Sequence, residues 1–127
     1  MSIDEIAALG KAFPKVLCLN ITDNHLERMS EYQIQVLGRV FPNVMSLSFA
    51  NSAVNNISDQ KIKTWSQCFQ KLKQLELTNC GVETMQSEKI ELIFIHEFSR
   101  VKEFLGVHFD QLPIALQKNY NKIHMNI

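Results

Sequence analysis

This chain has little of what most catalytic or membrane proteins need. Its 127 residues hold no apolar run long enough to span a bilayer and no signal-type hydrophobic stretch. The three cysteines, Cys18, Cys68 and Cys80, are odd in number and widely spaced, which argues against a disulfide framework and for a reducing compartment, nucleus or cytosol. The asparagine sequons at Asn20 and Asn56 have no consequence there. The four histidines, His25, His96, His108 and His124, stand far apart, with no second His or Cys at metal-ligand spacing. There is no Gly-rich phosphate loop and no nucleophile motif, and the acidic residues are scattered singly. No catalytic residue, metal, cofactor or small-molecule substrate is therefore expected. Net charge is also missing, because thirteen basic residues balance thirteen acidic ones. A free-standing nucleic-acid binder usually carries a basic excess, so any such contact must come from a local patch. No linker or low-complexity segment interrupts the chain, and its length suits one core rather than two.

What is present is a period. Phe13, Phe41, Phe69 and Phe98 recur at intervals of 28, 28 and 29 residues. After Phe13 come Val16, Leu19, Ile21, Asn24 and Leu26, which fit L-x-x-L-x-L-x-x-N-x-L at every position. The next copies read Val44, Leu47, Phe49, Ser52, Val54 and then Leu72, Leu75, Leu77, Cys80, Val82. The fourth degrades after Val101 and Phe104, where Gly106 replaces a large apolar residue. Leucine-rich repeats run roughly 20 to 29 residues and accept Cys at the Asn position. The fold class expected is α/β, a leucine-rich repeat solenoid of about four repeats, with short parallel strands on the concave side and helices on the convex side. Cys80 then reads as a buried ladder position rather than a reactive thiol.

Strands are expected near 17–22, 45–50, 73–78 and 102–107. Helical faces follow from Ile34, Leu37, Val40 and Phe41, then Ile57, Ile62, Trp65 and Phe69, then Ile90, Ile93, Phe94, Glu97 and Phe98. Ser30, Ser58 or Asp59, and Ser87 are the candidate N-caps, and Pro14 and Pro42 stop helices. The whole chain, 1–127, is read as a single domain. Residues 1–14, with Ile3, Ile6, Leu9 and Phe13 facing inward, form an N-terminal helical cap. Residues 110–127 form a C-terminal cap, helical from Leu112 to Ile123.

Register assigns surface columns. The concave face is expected to show Cys18, Asn20, Thr22; Ser46, Ser48, Ala50; Gln74, Glu76, Thr78; and Glu103, Leu105, Val107. Of these, Asn20, Thr22, Ser46, Ser48, Gln74, Glu76 and Thr78 are the candidate protein-binding set. At the strand entrances, Lys71 and Arg100 share one column, and Lys73 and Lys102 the next. With Lys61 and Lys63 on the preceding helix, they form a candidate phosphate-binding patch. Basic residues just past a helix end can equally serve the helix dipole.

Phe41-Pro42-Asn43-Val44-x-x-Leu47-x-x-Ala50-Asn51, then Trp65-x-x-x-Phe69-x-x-Leu72-x-x-Leu75 and Thr78-Asn79, resemble the leucine-rich repeat domain of the nuclear mRNA export receptor family, called TAP or nuclear RNA export factor in animals. Leu19-x-Ile21-x-Asp23-Asn24-x-Leu26 and the apolar helix from Ile90 to Phe98 resemble the flanking repeats of that domain. The resemblance implies a nuclear protein, shuttling to the cytoplasm, that helps load mRNA onto the export receptor. It implies RNA contact through Lys71, Lys73, Arg100 and Lys102, and export adaptors as protein partners. The family's RNA-recognition, NTF2-like and nucleoporin-binding domains have no counterpart in these residues, so the chain is expected to be a segment of a longer receptor or a reduced paralogue. The alternative reading is a monomeric protein-only adaptor, or an assembly subunit, with no RNA contact.

Overall fold

The computed structural model describes residues 3–13, 15–21, 25–107 and 124–126. Helices and strands alternate: α1 Ile3–Ala12, β1 Cys18–Asn20, α2 His25–Arg28, α3 Glu31–Val40, β2 Ser46–Ser48, α4 Asp59–Cys68, β3 Gln74–Glu76, α5 Ser87–Glu91, β4 Glu103–Leu105 and β5 His124–Asn126. The strands form one parallel sheet in chain order. Leu19 pairs with Leu47, Leu47 with Leu75, and Leu75 with Phe104. This is a leucine-rich repeat solenoid with the register that the sequence columns required. β5 continues the sheet beyond β4, a strand the repeat pattern did not predict. The helix expected over Leu112–Ile123 lies outside the described residues, as do Thr22, Asn24 and His108.

Each strand is three residues long rather than the six expected, because both ends are turned. At the entrance one carbonyl takes two amides: Met45 and Ser46 both donate to Leu17 O, Lys73 and Gln74 to Met45 O, and Lys102 and Glu103 to Lys73 O. At the exit Asn51 and Asn79 sit in the left-handed region (φ 63° and 56°), which ends the extended backbone. The asparagine amides stack, Asn79 Nδ2 donating to Asn51 Oδ1 at 3.1 Å.

One core runs between sheet and helices. Leu47, Leu75, Phe104, Trp65 and Ile62 are all buried, each such side chain contributing about 1.5–3 kcal/mol. Trp65 packs edge-on to Phe49 at 5.1 Å and stacks on Phe69 at 5.6 Å. The ladder position works as a spacer bond: Ser52 Oγ donates to Ile21 O and Cys80 Sγ to Phe49 O, each reaching back 31 residues. Burial pushes the Cys80 thiol up to about 11, so it stays protonated and structural.

The extra residue in the last interval has a definite location. Ile62 and Phe69 are two helical turns apart, while Ile90 and Phe98 are separated by one residue more. The helix absorbs it by widening into a π-helix over Leu92–Glu97, with Phe98 N donating to Ile93 O, five residues back, at 2.9 Å. Ile93, Phe94 and Phe98 are thereby all kept in the core.

Several expectations are corrected. Ser30 caps α3 in a capping box with Gln33, and Ser58 caps α4, but Ser87 is already helical and Gln86 holds the cap position. The 28-residue period runs Ser30, Ser58, Gln86, so the nearest serine was the wrong guide. Ile6 is buried, yet Leu9 and Phe13 are 41% and 59% exposed. Their equivalents Leu37 and Phe41 are covered; α1 and β1 stand at the edge of the stack with no described repeat before them. Val107 is buried rather than displayed on the concave face. Gly106, at φ 76°, reverses the strand alternation just before it.

Candidate functional site

The concave face is polar and internally bonded. Ser46 Oγ donates to Gln74 Oε1 at 2.7 Å, and Gln74 Nε2 donates onward to Glu103 Oε1. One step along the strands, Ser48 Oγ donates to Glu76 Oε1 at 2.8 Å, and Thr78 Oγ1 donates to Glu76 Oε2 at 3.1 Å. Five of the seven candidate protein-binding residues, Ser46, Ser48, Gln74, Glu76 and Thr78, therefore stand in two hydrogen-bonded ladders. Asn20 is exposed at the end of β1, and Thr22 lies outside the described residues. Ladders of this kind pin side chains that would otherwise rotate, so this face is pre-ordered and faintly acidic.

At the strand entrances the structure gathers the basic residues round a groove of about 450 Å³, lined by Met45, Gln70, Lys71, Leu72, Lys73, Arg100 and Lys102. It lies there because α4 ends at Cys68 and the chain re-enters the sheet through Lys71 to Lys73, beside the same turn of the next repeat. Lys71, Lys73 and Lys102 are exposed. Lys71 Nζ donates to Asn43 Oδ1 at 2.8 Å. Among the described residues the one ion pair is Lys89 with Asp59, at 3.1 Å, so no carboxylate neutralises the groove lysines.

Arg100 does not present free donors to this groove. Its Nη2 donates to Phe69 O at 2.8 Å and to Ser66 O, and its Nη1 donates to Ser66 Oγ at 3.2 Å and more loosely to Glu97 O at 3.5 Å. The guanidinium caps the carbonyl end of α4, the dipole role open to a basic residue past a helix end. Burial draws its pKa below the ordinary arginine value, partly offset by the Glu97 charge, and it remains a cation. Phosphate ligation through Arg100 donors is corrected on this ground.

Lys61 and Lys63 do not extend the cluster. Lys61 sits in the first turn of α4, roughly 10 Å from the far end of the helix at 1.5 Å per residue, and its ammonium donates to Glu27 O at 3.1 Å. Lys89, 28 residues on, does the same with Ile57 O. These are bonds between neighbouring repeats. Lys63 is exposed on α4 and does not line the groove.

Met45, Gln70 and Leu72 are groove residues that sequence reasoning missed. Met45 was findable, since it stands 28 residues before Lys73 in the same column. Among the described residues no cluster of His, Cys, Asp and Glu could hold a metal, and no helix is long and apolar enough to cross a membrane.

No family model and no curated protein matches the sequence. A solved structure of the tropomodulin C-terminal domain from Caenorhabditis elegans is similar over the whole of this chain and 83% of that one, at 15% identity and a TM-score of 0.47. At that distance the likeness carries no function.

Proposed function

We propose that this chain is a non-catalytic binding module of nuclear mRNA export that contacts the RNA backbone through the groove at the strand entrances. The observation that carries the reading is the convergence of Lys71, Lys73 and Lys102 on one groove with no carboxylate partner. Three exposed ammonium groups on one edge attract a polyanion in an otherwise neutral molecule, and each neutralised phosphate releases counterions. The resemblance of the Phe41 to Asn79 stretch to the export-receptor repeats supplies the cellular role, with residence in the nucleus and shuttling to the cytoplasm. Lys71→Glu with Lys102→Glu is expected to abolish binding to single-stranded RNA at low salt. For the wild type, three phosphate contacts correspond to a log K against log salt slope of roughly −2, from about −0.7 per contact. Unchanged affinity and slope in the double variant would remove the RNA contact from the proposal.

The concave ladders favour a second reading, a protein adaptor surface. Side chains already fixed by Ser46–Gln74–Glu103 and Ser48–Glu76–Thr78 bonding lose little freedom when a partner docks. A nuclease-resistant complex lost on Ser48→Arg or Thr78→Arg, but kept in the lysine variant, is the expected signature. A complex that survives both arginine substitutions excludes this face.

A further inference from the structure

The groove holds more than a phosphate requires. Inorganic phosphate or a bare ribose-phosphate backbone needs donors and positive charge, whereas this groove also includes Met45, Leu72 and the guanidinium of Arg100. Its volume of about 450 Å³ falls among sites that admit a small organic group, roughly 300–1,000 Å³. Arg100 decides which group. Its two terminal nitrogens are committed to the carbonyl end of α4, and its Nε is buried without a partner, so it has few donors left to offer a ligand. What a guanidinium fixed in this way still presents is its plane, held rigid by bonds from both terminal nitrogens. Unpaired bases stack on guanidinium planes, and thioether and aliphatic walls suit the rest of an apolar ring.

We infer that the groove takes the base of a single-stranded RNA nucleotide, stacked on Arg100 beside Met45, while Lys71, Lys73 and Lys102 hold the flanking phosphates. This rests on the phosphate reading above and adds to it that the ligand is unpaired, since a duplex hides its base faces. Stacking is tolerant of base identity, so preference between purine and pyrimidine runs is modest.

The test compares three probes of equal charge on the intact chain: an oligouridylate of roughly ten nucleotides, within the span that one small domain covers, its abasic ribose-phosphate counterpart, and an RNA duplex. The oligouridylate is expected to bind at least about fivefold more tightly than the abasic probe and the duplex, the lower end of one stacked base. Met45→Ala and Arg100→Lys are expected to erase that difference while leaving the salt slope of the abasic probe unchanged, with Met45→Ala serving even if the arginine variant unfolds. Equal, lysine-dependent affinities for the oligouridylate and the abasic probe overturn the base site and leave the phosphate reading standing. Binding of every probe that ignores Lys71→Glu and Lys102→Glu, or equal binding of polyglutamate, overturns both.

Discussion

Replacing Arg100 with alanine separates a structural residue from a ligand-binding one. The guanidinium serves Ser66 O, Phe69 O and Ser66 Oγ at the end of α4, and its removal leaves those acceptors to water or to nothing. Hydrogen bonds to a charged donor contribute about 1.5–3 kcal/mol each, and the helix dipole adds a few tenths to about 1 kcal/mol. The contributions are not additive, and the site is half-buried, so water recovers part of the loss. A cost of about 2–4 kcal/mol remains. At about 4 °C per kcal/mol for a chain of this size, the melting temperature should fall by about 8–16 °C. Urea unfolding should show a lower midpoint with unchanged slope, because the surface exposed on unfolding is the same. Arg100→Lys should fall between, since an ammonium keeps the charge and loses the fork. An alanine variant that melts with the wild type refutes the capping role.

Two further expectations follow from the geometry. Gly106 and Gly81 share a φ of 76°, but a Cβ on Gly106 would lie 2.6 Å from Thr78 Cα while one on Gly81 meets nothing nearer than Thr84 Oγ1 at 3.5 Å. Gly81→Ala should cost about 1–2 kcal/mol for the left-handed backbone alone, Gly106→Ala clearly more, and equal costs by urea titration would contradict the clash. Cys80 should resist iodoacetamide at pH 8 in the folded protein while exposed Cys18 reacts, as read by peptide mass, because the Cys80 thiol is raised from 9.0 to about 11. Since the folded state holds that proton more tightly, the associated stability is complete below pH 9 and declines between about pH 9 and 11, and a pH titration of unfolding that rises through this window would reverse the sign.

The period itself was legible from the chain. Four phenylalanines set the pairing of Leu19, Leu47, Leu75 and Phe104, the columns on either face and the burial of Cys80, because a repeat that cannot bury its apolar face alone must stack on its neighbour in register. Gathering Lys71, Lys73, Arg100 and Lys102 round one groove follows from the same register. Which end of a side chain does the work does not follow. Arg100 turns inward because the carbonyls of α4 lie across from it, and Lys61 reaches Glu27 O for the same kind of reason. Phe13 has the sequence context of Phe41 but not its neighbours, so the edge of the stack leaves it exposed. The π-turn over Leu92–Glu97 and the reversal at Gly106 are also tertiary decisions. In each, one misfitting residue is absorbed by bending the backbone, since moving large side chains out of a close-packed core would cost more. Sequence determined which residues share a column; the packing across each column decided what they touch.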